Sequence, residues 1–241
     1  MTASDAAHAA PRVARRVKRG LDVLVSGAAL IVLSPALAAI AVAVRCTMGP
    51  PVFFGQVRPG YRAQPFTLFK FRTMRPPGPV EPAVGLARLA DDTRRLSRLG
   101  RLLRRTSLDE LPQLWNVLRG DMSLVGPRPL LAQYLPRYTP EEARRHEVPP
   151  GLTGWAQVHG RKNLPMEERF VLDVWYVDHW SLRLDLAILT ATVRCFLESR
   201  EAPGEPIPDP WLEAAASAHA EAGSTSGPPA REAAATGSEE S

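Results

Sequence analysis

An adjacent acidic pair, Asp109–Glu110, stands among Arg98, Arg101, Arg104, Arg105 and Arg128. Carboxylates ringed by guanidinium groups suit chemistry on phosphate. An anionic nucleophile attacking an anionic diphosphate needs positive charge to offset repulsion and hold the attack in line. Simple ion pairing produces the same grouping. A local explanation also exists, because Ser107 with Glu110 fits a capping box and acidic residues favour a helix N-terminus. Pro112 argues against that register, since it would fall in the fifth helical position without a donor. A start nearer Asp109 tolerates the proline in the first turn and sets a carboxylate beside free backbone donors, where a phosphate could sit. In Gly126-Pro127-Arg128-Pro129, proline on each side restricts the backbone and aims the guanidinium, which suits phosphate or a nucleotide. The plainer alternative is a rigid loop with an exposed arginine. Lys70-Phe71-Arg72 alternates basic and apolar, which on a strand puts both charges on one face.

These residues need elements to position them. Arg12, Arg15, Arg16, Lys18 and Arg19 lead into an apolar run from Leu21 to Val44 whose polar side chains are only Asp22, Ser26 and Ser34. As a straight helix those residues would reach about 36 Å, enough to span a bilayer. Pro35 falls mid-run, where it predicts a kink and frees the carbonyl of Ile31, with the Ser34 hydroxyl as the nearest replacement donor. Basic residues on both sides of the run allow both ends to face the cytoplasm, and a kinked transmembrane helix stays open as the alternative. Residues 50–71 read as short strands and turns. Residues 106–129 read as a helix with Leu111, Leu114, Trp115 and Leu118 along one face. Leu89, Leu96, Leu99 and Leu103 form a stripe beside arginines, a basic amphipathic segment over 86–105 that either meets a membrane surface or is a solvated face. Leu182, Leu186, Leu189, Val193, Phe196 and Leu197 give a late helix with a wide apolar face, preceded by Trp175, Tyr176 and Trp180. The expected class is α+β, mostly helical.

The net charge of +5 conceals an asymmetry, because residues 201–241 hold eight acidic side chains against Arg231 and leave the first 200 residues at about +12. That tail, rich in Ala, Glu, Pro, Gly and Ser, reads as disordered. The basic body suits nucleic acid, an anionic bilayer face or phosphate-bearing substrates, but a nucleic-acid binder has no need of an Asp-Glu pair. Cys46 and Cys195 lack metal-type spacing and are expected as free thiols, and five scattered histidines give no zinc signature.

In order along the chain, KRGLD, the Ser34-Pro35 break, GPPVFFGQVRPG, KFRTM, RRTSLDELPQLWNVLRGDMSLVGPRP and PGLTGWAQVHGR resemble the bacterial sugar transferases known as monotopic phosphoglycosyl transferases, over residues 18–198. Pro149 departs from the pattern, since relatives often carry a basic residue there. The likeness is to the small form, without the several-helix N-terminal region of larger relatives. It implies a polar, basic N-terminus at 1–17, a re-entrant membrane helix over 18–45 broken at Ser34-Pro35, and a cytoplasmic catalytic domain over 46–200 before the tail. It implies residence in the bacterial inner membrane and magnesium-dependent transfer of a sugar 1-phosphate from a UDP-sugar to polyprenyl phosphate, with UMP released. Asp109 is implied as nucleophile and metal ligand, and Glu110 as proton acceptor or magnesium partner. Pro127 and Arg128 are implied at the nucleotide, and Lys70, Arg72, Arg104 and Arg145 at phosphates. Downstream glycosyltransferases are the implied protein partners, and no nucleic acid is. A catalytically inactive scaffold of the same fold is the alternative.

Overall fold

The structure, a computed structural model, describes residues 12–75, 95–160 and 164–198. The expected loop at 76–82, Leu89 and the tail lie outside them.

The apolar run forms two helices, α1 (Arg12–Val32) and α2 (Ser34–Met48), bent by 62° at the break. The Ser34 hydroxyl donates to the Ile31 carbonyl at 2.7 Å, the replacement that the proline makes necessary. The helical pair extends beyond 18–45 at both ends, because the basic residues before Lys18 continue α1. No single helix among the described residues is long and apolar enough to cross a membrane, whereas the bent pair passes that test jointly.

α1 is two-sided for a chemical reason. Lys18, Asp22 and Ser26 recur at four-residue spacing and so share one face. That face turns onto the rest of the molecule: Asp22 accepts from the backbone N–H of Leu124 at 3.1 Å, and Ser26 donates to the Asp22 carbonyl at 2.6 Å. Lys18 reaches Asp185 at 2.5 Å. Arg19 donates to the carbonyls of Val117 and Leu118 at 2.5 and 2.7 Å, closing the end of α4 (Gln113–Arg119). Leu21, Leu24, Val25, Ile31 and Val32 on the remaining surface stay exposed.

Strands β1 (Phe53–Pro59) and β2 (Pro65–Phe71) form an antiparallel hairpin, registered from Phe53 opposite Phe71 to Pro59 opposite Pro65. After them come α3 (Arg98–Arg105), α4, β3 (Ser123–Val125) and the short α5 (Pro140–Ala143). β4 (Gly151–Thr153) pairs parallel with β3, and α6 (Trp155–Gly160), α7 (Met166–His179) and α8 (Leu182–Glu198) complete the described chain. The main core joins Leu68, Leu114, Val117, Met122, Val125, Tyr176 and Ile188. A smaller one joins Val44 of α2 to Phe71 and Leu103, tying the bent helices to the segment just before Asp109.

Three sequence expectations shift. The buried side of α4 is Gln113, Leu114, Asn116 and Val117, with Trp115 half exposed, because Asn116 must reach the β2 backbone. It accepts from Phe69 N–H at 3.1 Å and donates to Thr67 O at 2.7 Å. On α8, Asp185 and Ile188 face inward while Leu186 and Val193 face out, since the polar contacts of Asp185 set the rotation of the helix. The basic segment is described from Arg95 onward, where its helical path is interrupted at Leu96 and Ser97 before α3, and Gly100 is required because a Cβ there would lie 2.0 Å from the Thr73 carbonyl oxygen.

Candidate active site

Asp109 and Glu110 sit in a single 3-10 turn, Leu108–Glu110, between α3 and α4. Ser107 enters it at φ 56°, a left-handed conformation unusual for a residue with a side chain, and so reverses the chain after α3. Neither helix register expected for this stretch is formed. Ser107 makes no capping bond, and the side chain of Glu110 turns elsewhere. Pro112 is the N-cap of α4, and the N–H groups of Glu110, Leu111 and Leu114 are spent on carbonyls three residues back, so these donors are not free for a phosphate.

Positive charge is supplied by side chains instead. Glu110 accepts from Lys70 at 2.7 Å and from both terminal nitrogens of Arg128, at 2.6 and 3.3 Å. Burial alone would raise its pKa, but Arg128 and Lys70 outweigh burial and bring it down to about 2. In this arrangement Glu110 holds the Lys70 ammonium and the Arg128 guanidinium in place.

Asp109 is the contrast. It is buried at 7% exposure and enters no ion pair among the described residues. Burial and then the neighbouring Glu110 raise its pKa, with Lys70 and Arg104 pulling the other way. Arg104 is brought to the site, its Nε anchored on the Thr73 hydroxyl at 2.9 Å. Of the two carboxylates, Asp109 is the one whose oxygens are not committed to an ion pair among the described residues.

The Gly126–Pro129 segment is fixed from behind. Gly126 N–H donates to Thr153 O, and Gly151 N–H donates to Pro127 O, each at 2.9 Å. The two backbones lie so close that a Cβ on Gly151 would fall 2.1 Å from the Gly126 nitrogen, so only glycine fits there. Beside Arg128 a solvent-open cleft is walled by Pro59, Pro127, Pro129 and Pro150, with His146 at its side.

Lys70, Arg104 and Arg128 thus gather around the acidic pair, with Pro127 next to Arg128 on the cleft wall, whereas Arg72 and Arg145 do not reach the pair. β2 ends at Phe71, so Arg72 leaves the strand face and closes the end of α2, donating to the carbonyls of Met48, Gly49 and Pro50. Arg145 is fully buried on Asp173 at 2.6 Å and donates to the Arg128 carbonyl at 2.7 Å, so it props the Arg128 backbone. Sequence reasoning gave no site role to Asp173 or Arg58. A charged residue on the otherwise apolar buried face of α7 signals the first. The second, within electrostatic reach of Arg128 and Glu110, shares a strand-face alternation with Gln56.

A carboxylate pair set among lysine and arginine side chains suits chemistry on phosphate, and sequence comparison gives the class. Residues 13–199 match the family described as bacterial sugar transferase. The chain is 58% identical over 156 residues to the uncharacterized sugar transferase EpsL of Bacillus subtilis, covering 65% of this chain and 75% of that one. It is 42% identical over 203 residues to the UDP-glucose:undecaprenyl-phosphate glucose-1-phosphate transferase of Caulobacter vibrioides, covering 80% of this chain and 74% of that one. To the Escherichia coli protein of the same description it is 38% identical over 189 residues, but spans only 40% of that longer relative. The chain therefore belongs to the bacterial sugar transferase family and is a phosphoglycosyl transferase.

Proposed function

We propose that the protein transfers a sugar 1-phosphate from a UDP-sugar to undecaprenyl phosphate, as the initiating step of an exopolysaccharide, capsule or glycoconjugate, by way of a covalent intermediate on Asp109. The carrying observation is the division of labour in the acidic pair: Glu110 is saturated by Lys70 and Arg128, while buried Asp109 has no ion-pair partner among the described residues. In the first step an Asp109 carboxylate oxygen attacks the phosphorus that bears the sugar. The bond from that phosphorus to the bridging oxygen breaks, and the electron pair leaves with UMP. In the second, a phosphate oxygen of the carrier attacks the same phosphorus and frees the carboxylate, giving the sugar diphosphate lipid. Lys70, Arg104 and Arg128 offset the charge gathered in both steps.

A magnesium ion fits this donor set. No group of three acidic or metal-binding side chains exists among the described residues, yet magnesium is commonly held by one or two carboxylates together with substrate phosphates. Asp109 would supply the protein ligand, and the ion would neutralise diphosphate oxygens. The bent α1–α2 pair, docked through its polar stripe with apolar residues outward, supports a re-entrant segment in the inner membrane with the catalytic residues on the cytoplasmic side. There a membrane-held carrier phosphate can reach the site.

The test uses the protein in nanodiscs with magnesium, undecaprenyl phosphate and a panel of UDP-sugars, measuring UMP release beside Asp109→Asn. UMP released from one sugar and absent in the variant supports the assignment and names the donor. UMP release that survives in Asp109→Asn sinks the nucleophile.

A further inference from the structure

Arg58 lies on β1, and the hairpin register places it on the same face as Lys70. Phe54 is opposite Lys70, and Gln56 and Arg58 follow at two-residue steps. Its Nη2 donates to the Gln56 carboxamide oxygen at 2.7 Å, which fixes the direction of the guanidinium. Its Nε is enclosed and has no hydrogen-bond partner. No carboxylate pairs with it among the described residues, since the only nearby acid, Glu110, is already taken by Lys70 and Arg128. Burial and the charge of Arg128 both lower its pKa, so the cation is held against its own tendency to be solvated. Buried guanidinium groups are normally paired, and an aimed one left unpaired beside a second arginine is poised for an anion. Lys70 and Arg128 saturate Glu110, and Arg58 adds a third cation within electrostatic reach of both Glu110 and Arg128, an excess of positive charge that a diphosphate would complete.

We propose that Arg58 is a direct ligand of the diphosphate of the nucleotide donor, held in position by Gln56. The assignment rests on the nucleotide-sugar reading of the site. Its ligand chemistry is a phosphate anion carrying at least two negative charges, and it contributes to binding the donor rather than to holding the fold.

Binding of UDP, inorganic pyrophosphate and uridine is measured by calorimetry on the full chain in nanodiscs with magnesium, for wild type, Arg58→Gln and Arg58→Lys. Losing one charge-assisted contact to phosphate is expected to weaken UDP and pyrophosphate by roughly tenfold or more in Arg58→Gln. Uridine binding and the melting temperature stay unchanged, and Arg58→Lys recovers part of the loss. In turnover, kcat/KM for the UDP-sugar falls while kcat/KM for undecaprenyl phosphate holds, because the two substrates enter in separate half-reactions. Unchanged affinity for UDP and pyrophosphate overturns the proposal. So do equal losses for both substrates, which would mean that Arg58 acts through the architecture of the site. Wild type that binds neither UDP nor pyrophosphate would instead overturn the nucleotide reading, and Arg58 with it.

Discussion

Two buried polar clusters differ in how completely they are satisfied. Beneath α1, the carboxylate of Asp185 takes Tyr176 Oη at 2.6 Å on one oxygen, and Trp180 Nε1 at 3.2 Å and Lys18 Nζ at 2.5 Å on the other. Lys18 spends a further donor on the Val125 carbonyl at 3.0 Å. At the 3-10 turn, Glu110 is equally well held, but among the described residues Asp109 beside it has no ion pair and Arg58 has an unpartnered Nε. The first cluster holds α1 onto the rest of the chain. The second is left short of partners where phosphate chemistry would supply them. Between these two clusters the difference lies in how far buried charge is satisfied rather than in its mere presence.

The same substitution placed in each cluster should have opposite consequences. Asp109→Asn is expected to lower UMP release by roughly 10⁶-fold, the scale seen when a covalent nucleophile is removed. Its melting temperature should be unchanged or higher, because burial works against the ionised carboxylate it replaces. Asp185→Asn removes the anion from an otherwise complete cluster and strands Lys18, which is expected to cost about 3 kcal/mol and lower the melting temperature by ~6–12 °C. Turnover per folded molecule should stay near wild type. Calorimetric melting with UMP release on the same samples checks both. A cold-sensitive but otherwise stable Asp185→Asn, or an unstable Asp109→Asn, would erase the distinction between the clusters.

Much of this contrast was legible in the residues. The acidic pair, the aimed Arg128, Lys70 and the Ser34-Pro35 break are carried by local chemistry: a proline must free a carbonyl, and a nearby hydroxyl must take it. The partners of the basic residues were not legible. Arg72 and Lys70 alternate on paper, yet the strand stops between them and Arg72 turns to the carbonyls at the end of α2, an outcome decided by tertiary packing. Arg145 looked like one more phosphate ligand until Asp173, 28 residues onward, took its charge. The polar stripe of α1 was visible as Asp22 and Ser26, but its meaning depended on β3 and α8, which lie more than 90 residues away. The helix register at Asp109 failed because Ser107 adopts a left-handed turn that no propensity favours.

The smallest expected effect separates the two members of the acidic pair by pH. Glu110 has a folded pKa of about 2, below its unfolded value near 4.5, so it contributes stability that is present above about pH 4.5 and is lost as pH falls toward 2. Glu110→Gln should therefore melt below wild type at pH 7, and the gap should close on acidification through that window. Asp109 carries the opposite sign. Its pKa is raised, so it favours folding most when protonated and loses that contribution as pH rises above its ordinary value. Any gain in melting temperature for Asp109→Asn should thus appear at neutral pH and vanish in acid. A melting series from pH 7 to pH 2.5 on wild type and both variants reads the two trends together. Parallel trends in the two variants would show that the carboxylates titrate as one unit, and the assignment of a saturated holder beside an unsaturated nucleophile would have to be given up.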